Sequence, residues 1–219
     1  MKKIVFFIAF LMAFVAVRGQ NNSQQAIKLL KQTTEKIKLY KTISAKFDMT
    51  IENAEIDMSE KHSGTLLMKG DKYHVSMPDL GLKVYSDGKS VWNFMQTANQ
   101  VTISKLGEEG VELFNPETIF SIYKEGYKAN YIADKNERGK TFTHIELFPE
   151  DAINQVEFEK ITVVVDKGNL LLERFMSHGK DGTNYGIEIK EFNSNIEIND
   201  KDFVFDAKKY KDVEILDLR

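Results

Sequence analysis

Residues 84–103 read VYSDGKSVWNFMQTANQVTI, three short strands joined by two tight turns. Ser86-Asp87-Gly88-Lys89 puts glycine where a hairpin needs a positive φ, and Thr97-Ala98-Asn99-Gln100 offers asparagine for the same task. The stretch is therefore a β-meander. Between its turns, Ser90 to Met95 carries Trp92, the single tryptophan of the chain, on a strand too apolar to face water on both sides. Some other part of the protein must cover it.

Outward from this meander the sequence keeps a period of two. Ala45, Phe47, Met49 and Ile51 alternate with Ser44, Lys46, Asp48 and Thr50, as in a strand buried on one face. Leu66 and Met68 repeat the pattern, then Tyr73, Val75 and Met77, then Leu82 and Val84, and Val101 and Ile103 close the sixth strand. Five more strands are expected over Tyr127–Asp134, Lys140–Phe148, Glu157–Asp166, Leu170–Met176 and Thr183–Phe192. The tail from Ile196 to Arg219 reads as extended but irregular. The sum is about eleven main strands.

Two stretches break the alternation. From Ser23, a possible cap, to Thr42, the residues Ile27, Leu30, Ile37 and Tyr40, with Thr34 between them, fall on one helical stripe. Lys28, Lys31, Lys36, Lys38 and Lys41 mostly point away from it. The apolar stripe needs a partner, and the basic face leaves a membrane-binding role open beside plain packing on a sheet. Asn115-Pro116-Glu117 starts a shorter helix with Ile119, Phe120 and Tyr123 on one side, ended by Gly126.

A mainly antiparallel sheet of this length curls as its strands twist, and two short helices cannot cover both of its faces. One face is expected to wrap inwards as a barrel or half-barrel, with the helices over its mouth. Phe47, Met49, Ile51, Leu66, Met68, Tyr73, Val75, Met77, Val84, Val101 and Ile103 would line that hollow, joined by some of Tyr185, Ile187 and Ile189. Unbranched methionines among them suit a variable apolar guest and equally suit an ordinary core.

The first 19 residues are expected to be a cleaved export signal. Lys2 and Lys3 precede an uncharged run from Ile4 to Val17, which is short of the roughly 20 residues that span a bilayer, and Val17-Arg18-Gly19 suits a cut before Gln20. Residues 20–219 then form a single domain, without repeat or linker. The chain has no cysteine, hence no lipid-attachment thiol and no disulfide. Losing Lys2, Lys3 and Arg18 from 30 basic residues against 33 acidic ones leaves a net charge of about −6, which argues against a nucleic-acid partner.

Catalytic signals are missing. His62, His74, His144 and His178 stand apart with no metal-ligand spacing, and there is no G-x-S-x-G, H-E-x-x-H or phosphate loop. An enzyme is not expected, nor a metal or other cofactor.

Certain residues carry a family likeness. They are Gly64-Thr65-Leu66 with Lys69, Ser86-Asp87-Gly88-Lys89-Ser90-Val91-Trp92, Pro116, the Ile161–Asp166 strand with its Asp-x-Gly turn, Phe203-Val204-Phe205, and the terminal Asp217-Leu218-Arg219. In this order the chain resembles LolA-type periplasmic carriers, which take lipoproteins from the inner to the outer membrane. The resemblance implies an unclosed barrel of eleven strands, a helical lid (Ile27, Leu30, Ile37, Ile119, Phe120, Tyr123) and a cavity for acyl chains. It also implies a monomeric periplasmic protein. Its partners would be lipoprotein cargo, an inner-membrane ABC-type release complex and, where present, an outer-membrane receptor. A binder of free lipid or glycolipid on the same fold is the alternative. One departure stands out: family members place an arginine that holds the lid just after Gly-x-Leu-x-x-Lys, where this chain has Gly70 and Asp71.

Overall fold

The computed structural model describes residues 22–107, 126–150 and 158–219. The expected export segment and the second helix with Ile119, Phe120 and Tyr123 lie outside these residues. Helix α1 spans residues 22–38. Twelve strands follow: β1 (Ile43–Asn53), β2 (Met58–Lys69), β3 (Lys72–Met77), β4 (Leu82–Ser86), β5 (Ser90–Met95), β6 (Gln100–Lys105), β7 (Tyr127–Glu137), β8 (Lys140–Pro149), β9 (Phe158–Asp166), β10 (Leu171–Gly179), β11 (Thr183–Ser194) and β12 (Glu214–Asp217). They form one sheet in the order β12-β6-β5-β4-β3-β2-β1-β11-β10-β9-β8-β7. Its two outer strands, β12 and β7, do not pair with each other, so the sheet is an open half-barrel.

The turn residues behave as their chemistry requires. Gly88 has φ 88° and Asn99 φ 49°, and the Asp87 carboxylate closes its turn by accepting from the Lys89 and Ser90 amides at 2.9 and 2.8 Å. Bulges at Lys190 in β11, Ile132 in β7 and Glu173 in β10 each leave one residue without a partner across the ladder, and bulges add bend and twist to a sheet. The bulge at Ile132 also accounts for that side chain standing exposed.

Both faces are covered, by different parts of the chain. One carries α1. The other carries the C-terminal tail, whose Phe205 and Tyr210 pack at a tilt against Phe94 at 5.2 and 4.2 Å between ring centres and form a small core with Tyr85, Val101 and Trp92. This supplies the cover that the meander demanded.

Three expectations are corrected. The tail contributes a twelfth strand, parallel to β6, where irregular chain was expected; all four of its residues are exposed, so no alternation marks them. Val101 and Ile103 do not share a face with Val84. They pair with Phe94 and Trp92, whereas Val84 pairs with Asn93 and, through it, lies over Thr102. Finally, the buried stripe of α1 is Ala26, Leu29, Leu30, Thr33, Thr34 and Ile37, while Ile27 is 42% exposed. Positions 26, 29, 30, 33, 34 and 37 follow the i, i+3, i+4 rule strictly, and Ile27 falls well to one side of it.

Candidate functional site, the helix-covered face

The face under α1 is apolar from one side of the sheet to the other. On β1 to β5 it carries Ile43, Phe47, Met68, Tyr73, Val75, Met77, Val84 and Val91, with Met49, Leu66, Leu82, Ile187 and Ile189 packed against them. On β7 to β9 it continues as Ala129, Ile145, Leu147, Ile161, Val163 and Val165, flanked by Tyr131, Phe158 and Phe175. Strand pairing carries the row from sheet half to sheet half: Val84 opposite Val75, Val75 opposite Leu66, Leu66 opposite Ala45, and Met49 opposite Ile187. Eight expected lining residues are thus brought together: Phe47, Met49, Leu66, Met68, Tyr73, Val75, Met77 and Val84. Ile51 is on the same face but at its far end, between Glu60 and the exposed Tyr185. Val101 and Ile103 are under the tail on the other side.

Between margins that carry Asp134 opposite Thr143 on β7 and Glu60 opposite Ile51 on β2, the middle of the face is built of these apolar side chains. Burial pushes the Tyr73 phenol up to about 12, with the Ser86 hydroxyl pulling the other way, so it stays neutral at any physiological pH. Such a surface gives a ligand area and shape, with nothing to hold a charge.

Helix α1 crosses the face obliquely. Ala26, Leu29 and Leu30 pack on the β7–β9 side, and Ile37 with Tyr40 on the β1–β5 side, Tyr40 lying 5.6 Å from Phe192 between ring centres. Just past its C-terminal end the chain is tied by hydrogen bonds to the residues that follow β11. The Lys41 amide donates to Asn195 Oδ1 at 2.8 Å, the Thr42 hydroxyl donates to the Ile196 carbonyl at 2.6 Å, and the Asn195 amide returns a bond to the Thr42 carbonyl at 2.8 Å. The middle of the helix is weaker. The Thr33 hydroxyl is buried without a hydrogen-bond partner, and Thr34 turns its own back onto the Leu30 carbonyl.

Between helix end and sheet is a hollow of about 30 Å³, lined by Ile37, Ile43, Ala45, Met68, Ile189 and Phe192 among others. That is roughly the share of liquid volume taken by one water, and the lining offers a water almost nothing to bond. Ala45, Ile43 and Phe192 were not among the expected lining residues. Ala45 stood in the alternation that defines β1, but its small side chain gave no reason to expect it in a site. The hollow exists because it is small.

The turn where related proteins place an arginine is the two-residue hairpin Gly70-Asp71, with Lys69 opposite Lys72, Gly70 at φ 57° and both turn residues exposed. Nearby, Lys69 and Lys72 both reach Asp200 of the tail, at 2.6 and 3.0 Å. The cations of this hairpin thus serve the tail.

The family model described as outer membrane lipoprotein carrier protein LolA matches residues 38–206. The chain belongs to the LolA family. The match to LolA begins where α1 ends and covers β1 to β11, and the placing of α1 as a cover rests on its packing. No curated protein matches the chain significantly. Among solved structures, an uncharacterized conserved protein from Thermus thermophilus is 13% identical, with 89% of this chain and 98% of that one covered at a TM-score of 0.55. The Mycobacterium tuberculosis lipoprotein LppX is 12% identical, covering 80% and 99% at 0.49. A LolA superfamily protein from Nitrosomonas europaea is 13% identical, covering 82% and 97% at 0.43. The likeness to the Thermus thermophilus protein shows that the two chains share a fold.

Proposed function

We propose that this protein is an exported lipoprotein carrier, acting in the periplasm on the acyl chains of lipoproteins. It would receive them from an inner-membrane ABC-type release complex and deliver them to the outer membrane, to a receptor where one is present. The observation that carries this reading is an apolar face that runs across an unclosed sheet and is covered by a helix.

The hollow between Ile37 and the sheet has room for about one water, and on this reading helix and cargo compete for one surface. Removing a dozen methylenes from water is worth on the order of 10 kcal/mol at about 0.8 each. A rigid site of that depth would not release its guest. Competition from Leu29, Leu30 and Ile37 for the same wall lowers the net affinity and also keeps the empty face from becoming a sticky patch.

Mass spectrometry of ligands extracted from protein purified from its own periplasm tests the reading. Triacylated polypeptides are the expected find. Free lipid alone would replace the proposal with a lipid or glycolipid binder, and protein that is empty and takes up no lipoprotein from a release complex would overturn both. Leu30→Glu should alter loading much more than folding. Unchanged transfer of labelled lipoprotein would remove α1 from the mechanism.

A further inference from the structure

The outward face of α1 is a second surface, which the carrier reading does not use. Lys28, Lys31, Lys38 and Lys41 are exposed and Lys36 is half-buried, with Glu35 the sole acidic residue of the helix. Lys31 meets Glu35 at 3.9 Å, a loose pairing between exposed side chains, and Lys36 lies 5.7 Å from the centre of the Tyr40 ring. The side chains of Lys28, Lys38 and Lys41 have no ionic partner among the described residues. This basic strip belongs to a chain with more acidic than basic residues overall. Elsewhere on the sheet, lysines are largely matched: Lys61 to Asp48, Lys46 to Glu191, Lys160 to Glu146 and Lys167 to Asp134.

Two large apolar side chains stand among these cations. Leu39, in the turn that ends the helix, is 76% exposed, and Ile27 on the flank is 42% exposed. Lysine ammonium groups on flexible stems around a protruding leucine match a headgroup layer, which offers diffuse negative charge over shallow hydrocarbon. A folded acidic partner would instead call for shaped, paired contacts rather than cations on flexible stems.

We infer that the outward face of α1 docks on anionic lipid headgroups, with Lys28, Lys31, Lys38 and Lys41 giving the charge attraction and Leu39 a shallow anchor. Docking in this way leaves Leu29, Leu30 and Ile37 on the sheet, so it needs no opening of the helix. It also sets the tethered end of α1, at Thr42, closest to the bilayer. The net negative charge of the chain as a whole favours an approach that puts this strip first.

The test uses the full mature chain without cargo and vesicles of phosphatidylcholine alone or with a third phosphatidylglycerol. Flotation or co-sedimentation is measured at low and at physiological salt. Binding is expected only with phosphatidylglycerol, and it should weaken as salt rises. Each lysine near such a surface contributes roughly fivefold in affinity, so K28Q/K31Q/K38Q should bind on the order of a hundredfold more weakly. A matched variant, K61Q/K128Q/K209Q, should bind as the parent does. L39N should weaken binding even at low salt. The thermal midpoint of each variant shows that its fold is intact. Equal binding to both vesicle types, equal loss in the two triple variants, or no binding at low salt would overturn the inference. The last outcome would leave the strip to an acidic protein. None of these results depends on which cargo the sheet carries.

Discussion

The ring of Phe47 lies across Gly64 on the neighbouring strand. The two residues are paired in the β1–β2 ladder, and a methyl group added at position 64 would fall inside the space of the ring. Gly64 is therefore the floor on which a large side chain of the apolar face lies flat. Gly64→Ala should destabilise by about 1–3 kcal/mol through overpacking. Adding Phe47→Leu should recover part of that loss, as a double-mutant cycle in denaturant would measure. Strict additivity of the two changes would mean that the ring is not held there.

Ala45 faces the small hollow beneath α1. A β-branched residue suits β1 at that position, and Ala45→Val adds about the volume that is empty. At about 24 cal/mol per Å³ of cavity, filling some 30 Å³ stabilises by about 0.7 kcal/mol. Chemical denaturation should show the gain, and uptake of a fluorescent fatty-acid probe should fall because the first foothold for an alkyl chain is gone.

Thr33 is buried at 4% exposure with its hydroxyl unbonded, in the middle of the helix that covers the face. Thr33→Val keeps the shape and removes the orphan group. A gain of about 1 kcal/mol is expected, raising the thermal midpoint by about 2–4 °C for a chain of this size. Cargo loading should slow at the same time, since the helix then holds the sheet more tightly. A stabilised variant that loads at the parental rate would separate helix docking from uptake.

Two histidines give stability opposite slopes with pH. His62 sits between Asp79 at 2.7 Å and Glu60 at 3.3 Å, and its hydrogen bond to Asp79, aided by Glu60, raises its pKa. Its contribution is fully present below about pH 6.5, the unfolded value, and is lost as pH climbs through the raised one. His74, stacked on Tyr85 at 4.2 Å under the tail, is pushed down to about 4 by burial and then by Lys83. The folded state resists its protonation, so stability falls as pH drops from about 6.5 towards 4. His74→Phe should flatten the acid limb of a midpoint-against-pH profile, and His62→Asn the limb above pH 6.5. If neither variant changes shape relative to the parent, these assignments fail.

The last strand guards an edge. The Glu214 amide bonds the Asn99 carbonyl at 3.0 Å, the Leu218 amide bonds the Ile103 carbonyl at 2.8 Å, and Arg219 reaches Ser90 Oγ at 3.1 Å while pairing with Asp217. Deleting residues 214–219 should cost little stability, because β12 buries nothing, yet it bares the β6 backbone for pairing with another chain. Light scattering after size exclusion should show self-association that grows with concentration.

Much of this was legible in the sequence, and the reasons for the rest are physical. Eleven strands announced themselves because each buries one face, which forces alternation. β12 did not, since an exposed four-residue strand has no face to hide. The side taken by Val101 and Ile103 was undecidable from β6 alone. Its neighbour β5 is apolar at Val91, Trp92 and Phe94, and so does not say which parity points towards the helix. Phe203 and Phe205, far along the chain, make the second face of this sheet a core. On the helix stripe Leu30, Thr34 and Ile37 were legible and Ile27 was misread, because Ile27 outweighs Ala26 in hydrophobicity although Ala26 is the one on the contact line.

The gap between β7 and β12 has a mechanical meaning. In a sealed barrel the girth is fixed by strand number and stagger, and widening it breaks ladder bonds. Here β12 and β7 are not paired with each other, so no ladder fixes the girth across the opening. On the carrier proposal the fold itself would not count the tails of a guest, and a preference for two over three would be set where the helix and the rims meet the headgroup end.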